Sequence, residues 1–197
     1  MKTLIATLLL AAGLEFTAPA ATPFYSSQRA ASAADASWPA ALTFPSAANT
    51  QIRLVSLCWR SDSNAAIVSL STASNAYVMA ITNRSATDTT QMVASTAGMI
   101  TNSLLIMEQG GVCYTNTLVA TNSATNAITI SGWGVIGAVG SSIYQMGTAT
   151  TISSGWTTNT CLDGEAIYVA EPGRPLRITV SPVSVSNIIF KAVARYE

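Results

Sequence analysis

The chain has no histidine and very little charge. Of its 197 residues, nine are Lys or Arg and nine are Asp or Glu, so the formal net charge is zero. Histidine is the side chain that most readily exchanges a proton near neutral pH and the commonest metal ligand. Its absence removes Ser-His-Asp and Cys-His nucleophile designs and most zinc sites. With a pI near 6.2, no basic field is present to gather nucleic acid or an anionic membrane. Cysteine is also scarce. Cys58, Cys113 and Cys161 lie about fifty residues apart with no CxxC pair. They read as small, apolar, free thiols inside strands, as in Leu57-Cys58-Trp59 and Val112-Cys113-Tyr114. One disulfide with a leftover thiol is the alternative, and spacing does not choose its partners. Long hydrophobic runs are missing beyond the N-terminus, where none approaches the ~18–20 residues that cross a bilayer as a helix. No metal, cofactor or catalytic residue is expected.

Small neutral residues fill the space that charge leaves. Ala, Ser, Thr, Val, Ile and Asn dominate, the hydrophobic fraction is 49%, and mean hydropathy is +0.39. Low charge weakens the repulsion between copies and favours self-association.

Two segments are expected. Residues 1–45 form an apolar start followed by an Ala/Ser/Pro-rich arm, in which Ala30–Ala36 suggests a short helical turn. Met1 to Gly13, followed by Ala18-Pro19-Ala20, resembles a cleavable secretory signal. A retained, packed arm anchored by Phe24, Tyr25 and Trp38 is the competing reading. Residues 46–197 form the folded domain. Gln51–Arg60, Ala65–Leu70, Ala76–Ile81, Val112–Ala120, Glu165–Ala170, Leu176–Val180 and Asn187–Tyr196 read as strands separated by Ser/Thr/Asn turns, with a further turn at Ser153–Gly155. Asn102–Glu108 fits either a strand or a short helix. Short strands at roughly ten-residue spacing argue for an all-β sandwich or barrel.

Few residues suggest chemistry. Serines abound, but the two lysines, Lys2 and Lys191, sit in no Ser-x-x-Lys setting. Asp163 and Glu165 would share a face of a strand, yet Asp163-Gly164 reads as a turn; a two-carboxylate hydrolase would need a pair among Asp163, Glu165 and Glu171 in one cleft. Asp62, Asp88 and Asp163 occupy no Asp-rich calcium loop. Asn83-Arg84-Ser85 matches a glycosylation acceptor, a pattern common by chance. Trp133, Tyr144 and Trp156 lie in the glycine- and Ser/Thr-rich middle, where loops would display them for a glycan or a subunit interface; the competing reading places them in the core.

Ala41-Leu42-Thr43-Phe44-Pro45-Ser46-Ala47 leads into the Ile52–Trp59 and Ile67–Leu70 strands. The chain closes with Gly164–Val169, Leu176–Val180 and Ile188–Tyr196. This order resembles the jelly-roll proteins that decorate bacteriophage capsids or form head fibres, over roughly residues 40–80 and 160–197, with 100–150 as an insertion. The resemblance implies a jelly-roll-like antiparallel β-sandwich and a non-enzymatic protein on the virion surface. It also implies a homotrimer that contacts a major capsid protein or other virion proteins. The lack of a basic field argues against nucleic acid as a partner, and the aromatics named above make a host-surface glycan a further candidate partner. A secreted bacterial β-sandwich, either adhesin or carbohydrate-binding module, extracellular or periplasmic after signal cleavage, is the alternative.

Overall fold

The computed structural model describes residues 24–34, 40–61, 65–156, 160–182 and 186–197, with side chains described within 41–60, 66–152, 161–181 and 188–197. Fourteen strands and no helix are found among them. They are β1 (Phe24–Ala34), β2 (Ala40–Phe44), β3 (Ile52–Ser61), β4 (Ala65–Val78), β5 (Thr90–Met92), β6 (Leu104–Gln109) and β7 (Val112–Thr117). β8 (Ala120–Asn122), β9 (Ala127–Thr129), β10 (Ser142–Met146), β11 (Thr150–Trp156), β12 (Thr160–Ala170), β13 (Leu176–Pro182) and β14 (Ser186–Tyr196) follow.

Eight of these strands make a jelly roll. One sheet runs β1-β14-β3-β12, and the facing strands run β2-β13-β4-β11, all antiparallel. Counted along the eight alone, the orders are 1-8-3-6 and 2-7-4-5, which two interlocked Greek keys produce. Period-2 patterning explains the packing. Leu176, Ile178 and Val180 of β13 and Ile188, Phe190, Ala192 and Ala194 of β14 point inward on alternate residues. They meet Ile52, Leu54, Leu57 and Trp59 of β3 and Val68 and Leu70 of β4 in one buried core.

β3 does not keep the simple alternation that places Ser56 beside Leu54. Val193 pairs with Ser56 and Ala194 with Leu54, so Val55 is an extra residue. This bulge rephases the strand and returns Leu57 and Trp59 to the core side.

β4 is longer than its sequence suggests. Ser71-Thr72-Ala73-Ser74-Asn75 reads as a turn but stays extended, because β13 pairs with it as far as Thr72 and β10 takes over from Ala73 to Val78. The strand therefore carries the barrel sheet on into β10-β6-β7. The insertion between β4 and β11 begins at Met79, not near residue 100, and adds a small sheet, β5-β9-β8. It has a core of its own, built from Met79, Leu105, Met107, Ile128, Trp133 and Ile143 among others. Ala73, Ile106, Tyr144 and Met146 pack on the opposite face of the same strands.

Other expectations change too. Phe24–Ala34 is strand β1, paired with β14 along its whole length, so the described part of the expected arm belongs to the sandwich and Ala30–Ala34 is not helical. β2 likewise lies before the expected boundary at 45. Asn102–Glu108 resolves as strand β6, and Ser153–Gly155 continues in β11, paired with β4. The apolar start, Trp38 and Asp62 lie outside the described residues. Cys58 and Cys161 are not free thiols. They are cross-strand neighbours on β3 and β12, with Cα atoms 4.0 Å apart, and form a disulfide across 103 residues of sequence. Only the strand register brings them together. Cys113 alone is free.

Candidate functional site

The insertion meets the jelly roll through a small polar node. β6 ends in Glu108-Gln109, and Gly110 and Gly111, with φ of 59° and 76°, form the tight turn into β7. Consecutive strand residues point to opposite faces, so Glu108 and Gln109 bind different partners. Glu108 accepts hydrogen bonds from the backbone N–H and the Oγ–H of Ser46, both at 2.6 Å, on the loop between β2 and β3. The Tyr144 hydroxyl lies 2.8 Å from the same Oγ. With that serine proton committed to Glu108, Tyr144 donates. Gln109 accepts from the Ala138 N–H (2.8 Å) and the Ser141 hydroxyl (3.1 Å) and donates to the Ile136 carbonyl (3.1 Å). One dipeptide thus ties the jelly-roll rim to the loop before β10. A cleft of about 730 Å³ opens beside it, lined by Ser46, Asn49, Glu108, Ser141 and Tyr144 among others.

Beneath the node the barrel presents one unusual side chain. Arg177 of β13 sits between core residues Leu176 and Ile178 and so faces away from the core, towards β7. It borders two further clefts. One, of about 620 Å³, lies between β2 and β7; the other, of about 550 Å³, lies along β4, β10 and the start of β6. Burial lowers the pKa of its guanidinium, and the nearby Cys113 opposes that shift. The Cys113 thiol is pushed up to about 12, chiefly by burial and then by the Glu108 charge and the hydrogen bond to it. Tyr196 is also pushed up to about 12, first by burial, and its hydroxyl donates to the Pro45 carbonyl at 3.1 Å. At neutral pH Cys113 is therefore a neutral thiol and supplies no counter-charge to Arg177.

Two of the aromatics expected on display, Trp133 and Tyr144, are buried, and the side chain of Trp156 lies outside the described side chains. Trp133 is 5% exposed inside the insertion core, and Tyr144 is 6% exposed, with its hydroxyl against Ser46 at the cleft. Neither offers a ring face for sugar stacking. Trp156 belongs to β11, its backbone opposite Ala65. Phe24 and Tyr25 are opposite Tyr196 and Arg195 at the start of β1.

Asp163 and Glu165 are both exposed, in the stretch of β12 where the register with β3 shifts. None of Asp163, Glu165 and Glu171 lines any of the three clefts. Asp88 is occupied in capping a turn, accepting from the N–H groups of Arg84 (2.8 Å) and Ser85 (3.0 Å). The Asn83 amide nitrogen is buried, which is unsuited to glycosylation. Among the described residues no cluster of three or more Cys, Asp or Glu is arranged to hold a metal ion. Glu108, Ser46 and Arg177 were not singled out from sequence. In a chain this poor in charge, an acid closing one strand and a base inside another were the available signals.

No protein-family model matches the chain, and no curated protein matches it. Among solved structures it is similar to VP17, a capsid protein of bacteriophage P23-77, with 12% identity and a TM-score of 0.23, over 89% of this chain and 98% of that one. It is also similar to a chain of the VP16-VP17 complex, a complex of the two major capsid proteins of bacteriophage P23-77. That match has 11% identity and a TM-score of 0.18, over 88% of this chain and 100% of that one. Superpositions at this level assign neither family nor function.

Proposed function

We propose that the chain is a non-enzymatic structural protein of a phage-type virion, decorating or stabilising the capsid surface as a homotrimer. The observation that carries the reading is the eight-strand jelly-roll order, an architecture used in viral capsids and in lectins. Surface character supports it. Ten large aliphatic residues are exposed among the described residues, and seven of them, Val78, Ile81, Ile100, Val112, Val119, Ile136 and Val139, belong to the end of β4 or the insertion. Such a surface suits burial against neighbouring subunits or a major capsid protein, where few ion pairs would be lost to salt. The Cys58–Cys161 disulfide suits a protein that works outside the reducing cytosol, virion surfaces included. The bridge equally favours the second reading, a secreted adhesin or carbohydrate-binding module. Light scattering and intact mass on native protein separate the two. A trimer retaining its first residues supports the virion reading; a monomer whose mass lacks about twenty N-terminal residues, a typical signal length, supports secretion.

A further inference from the structure

Arg177 is a half-buried cation without a partner. It makes no hydrogen bond and no ion pair with its side chain among the described residues. Glu108 is engaged by Ser46, and the Cys113 thiol beside Arg177 carries no charge at neutral pH. Leaving a desolvated guanidinium unpaired costs stability, and the fork of N–H donors matches a planar carboxylate. Its surroundings narrow the ligand further. In the cleft between β2 and β7, Arg177 is the sole charged lining residue, and Thr43 and Thr115, whose hydroxyls make no hydrogen bond among the described residues, line it too. The volume, about 620 Å³, is that of a small-molecule site.

We propose that this cleft binds a carboxylated saccharide of the uronic-acid type. The carboxylate pairs with the Arg177 guanidinium, and the ring hydroxyls bond to Thr43 and Thr115. A single cation balances one negative charge and leaves a phosphate dianion half-compensated. Free hydroxyls in the wall suit a polyhydroxylated ring. The site does not depend on the virion reading, since a capsid protein or a secreted one would use it alike.

Titration of the full chain with glucuronic acid, followed by NMR at the Arg177 side chain and the Thr43 and Thr115 amides, tests this directly. Glucose, acetate, inorganic phosphate and tetraglutamate serve as competitors. Glucuronic acid is expected to bind at least tenfold tighter than glucose or acetate. Arg177→Gln is expected to remove that margin, while Arg60→Gln, an exposed cation on β3, leaves it unchanged. Arg177→Met is expected to leave the protein no less stable than the parent, which a purely structural arginine would not allow. If Arg177→Gln fails to fold, Thr43→Val with Thr115→Val carries the test, with a loss of at least threefold, whereas an Arg177→Met protein that fails to fold counts against the proposal. Equal binding of acetate, tighter binding of phosphate or tetraglutamate, no binding at all, or full binding by Arg177→Gln would overturn the proposal.

Discussion

Replacing Glu108 with alanine should loosen the insertion from the jelly roll without unfolding either core. The carboxylate accepts two bonds from Ser46, each at 2.6 Å, and no other acidic side chain lines that cleft. Hydrogen bonds to a charged group contribute about 1.5–3 kcal/mol apiece. Both residues are half-buried, so water recovers part of that value when the carboxylate goes. The low end therefore applies, and Glu108→Ala should cost about 2–3 kcal/mol in all. At about 2–4 °C per kcal/mol for a chain of this size, Tm should fall by about 4–12 °C. Ser46→Ala keeps the backbone N–H bond but loses the hydroxyl's bond to Glu108 and the one it accepts from Tyr144, so about 1–2 kcal/mol is expected. Denaturant unfolding gives the energies, and hydrogen exchange at the Ser46 amide locates the effect. That amide should lose protection in Glu108→Ala, while amides of β13 and β14 change only as global stability does. A Glu108→Ala protein within about 0.5 kcal/mol of the parent, the ordinary range of surface changes, with Ser46 protection intact would refute the latch.

Reducing or removing the Cys58–Cys161 bridge should cost about 2–5 kcal/mol, because the loop it closes is long; guanidinium unfolding of the Cys58→Ser, Cys161→Ser protein measures it. Gly132→Ala should destabilise by more than about 1 kcal/mol, since Gly132 has φ +96° and an added Cβ would meet the Thr87 backbone at 3.1 Å. Gly164→Ala, which meets nothing within 4 Å, should be close to neutral in the same thermal melts. Cys113 and Tyr196 hold their protons to about 12 in the folded chain, against ordinary values of 9.0 and 10.0. The unfolded chain gives up those protons first, so their contribution is complete below pH about 9 and is lost as pH rises towards 12. Denaturant midpoints should fall across that window, and iodoacetamide should label native Cys113 far more slowly than the same cysteine in urea.

The strands most legible in the sequence were those with unbroken alternation. β13 and β14 place apolar residues at every second position, and the pattern survives because neither is interrupted within its inward run. β3 was legible as a strand but not in its phase. A single extra residue, Val55, reverses the inward set, and nothing local distinguishes Val55 from its neighbours. The Ser/Thr/Asn stretch of β4 has turn composition, and tertiary pairing with β13 and β10 overrides it. The disulfide was illegible because a pairing across 103 residues depends on register between two strands, not on spacing. Trp133 and Tyr144 looked displayed because glycine and small polar residues surround them in sequence, yet an insertion of this length folds its own core and needs large side chains to fill it. Ser46 and Glu108 come from distant stretches of chain, so their convergence had no local signature; Arg177 lies on a third stretch, and only the rarity of charge marked it and Glu108.

The proposed virion role makes this protein a component of a particle. Quantitative mass spectrometry of gradient-purified particles from the native source tests it most directly, with intact-mass analysis of the same fraction. With a virion role, the chain is expected at many copies per particle, in fixed ratio to the major shell protein, with its N-terminal residues retained. Absence from particles, with a processed chain accumulating in the culture medium, would contradict it.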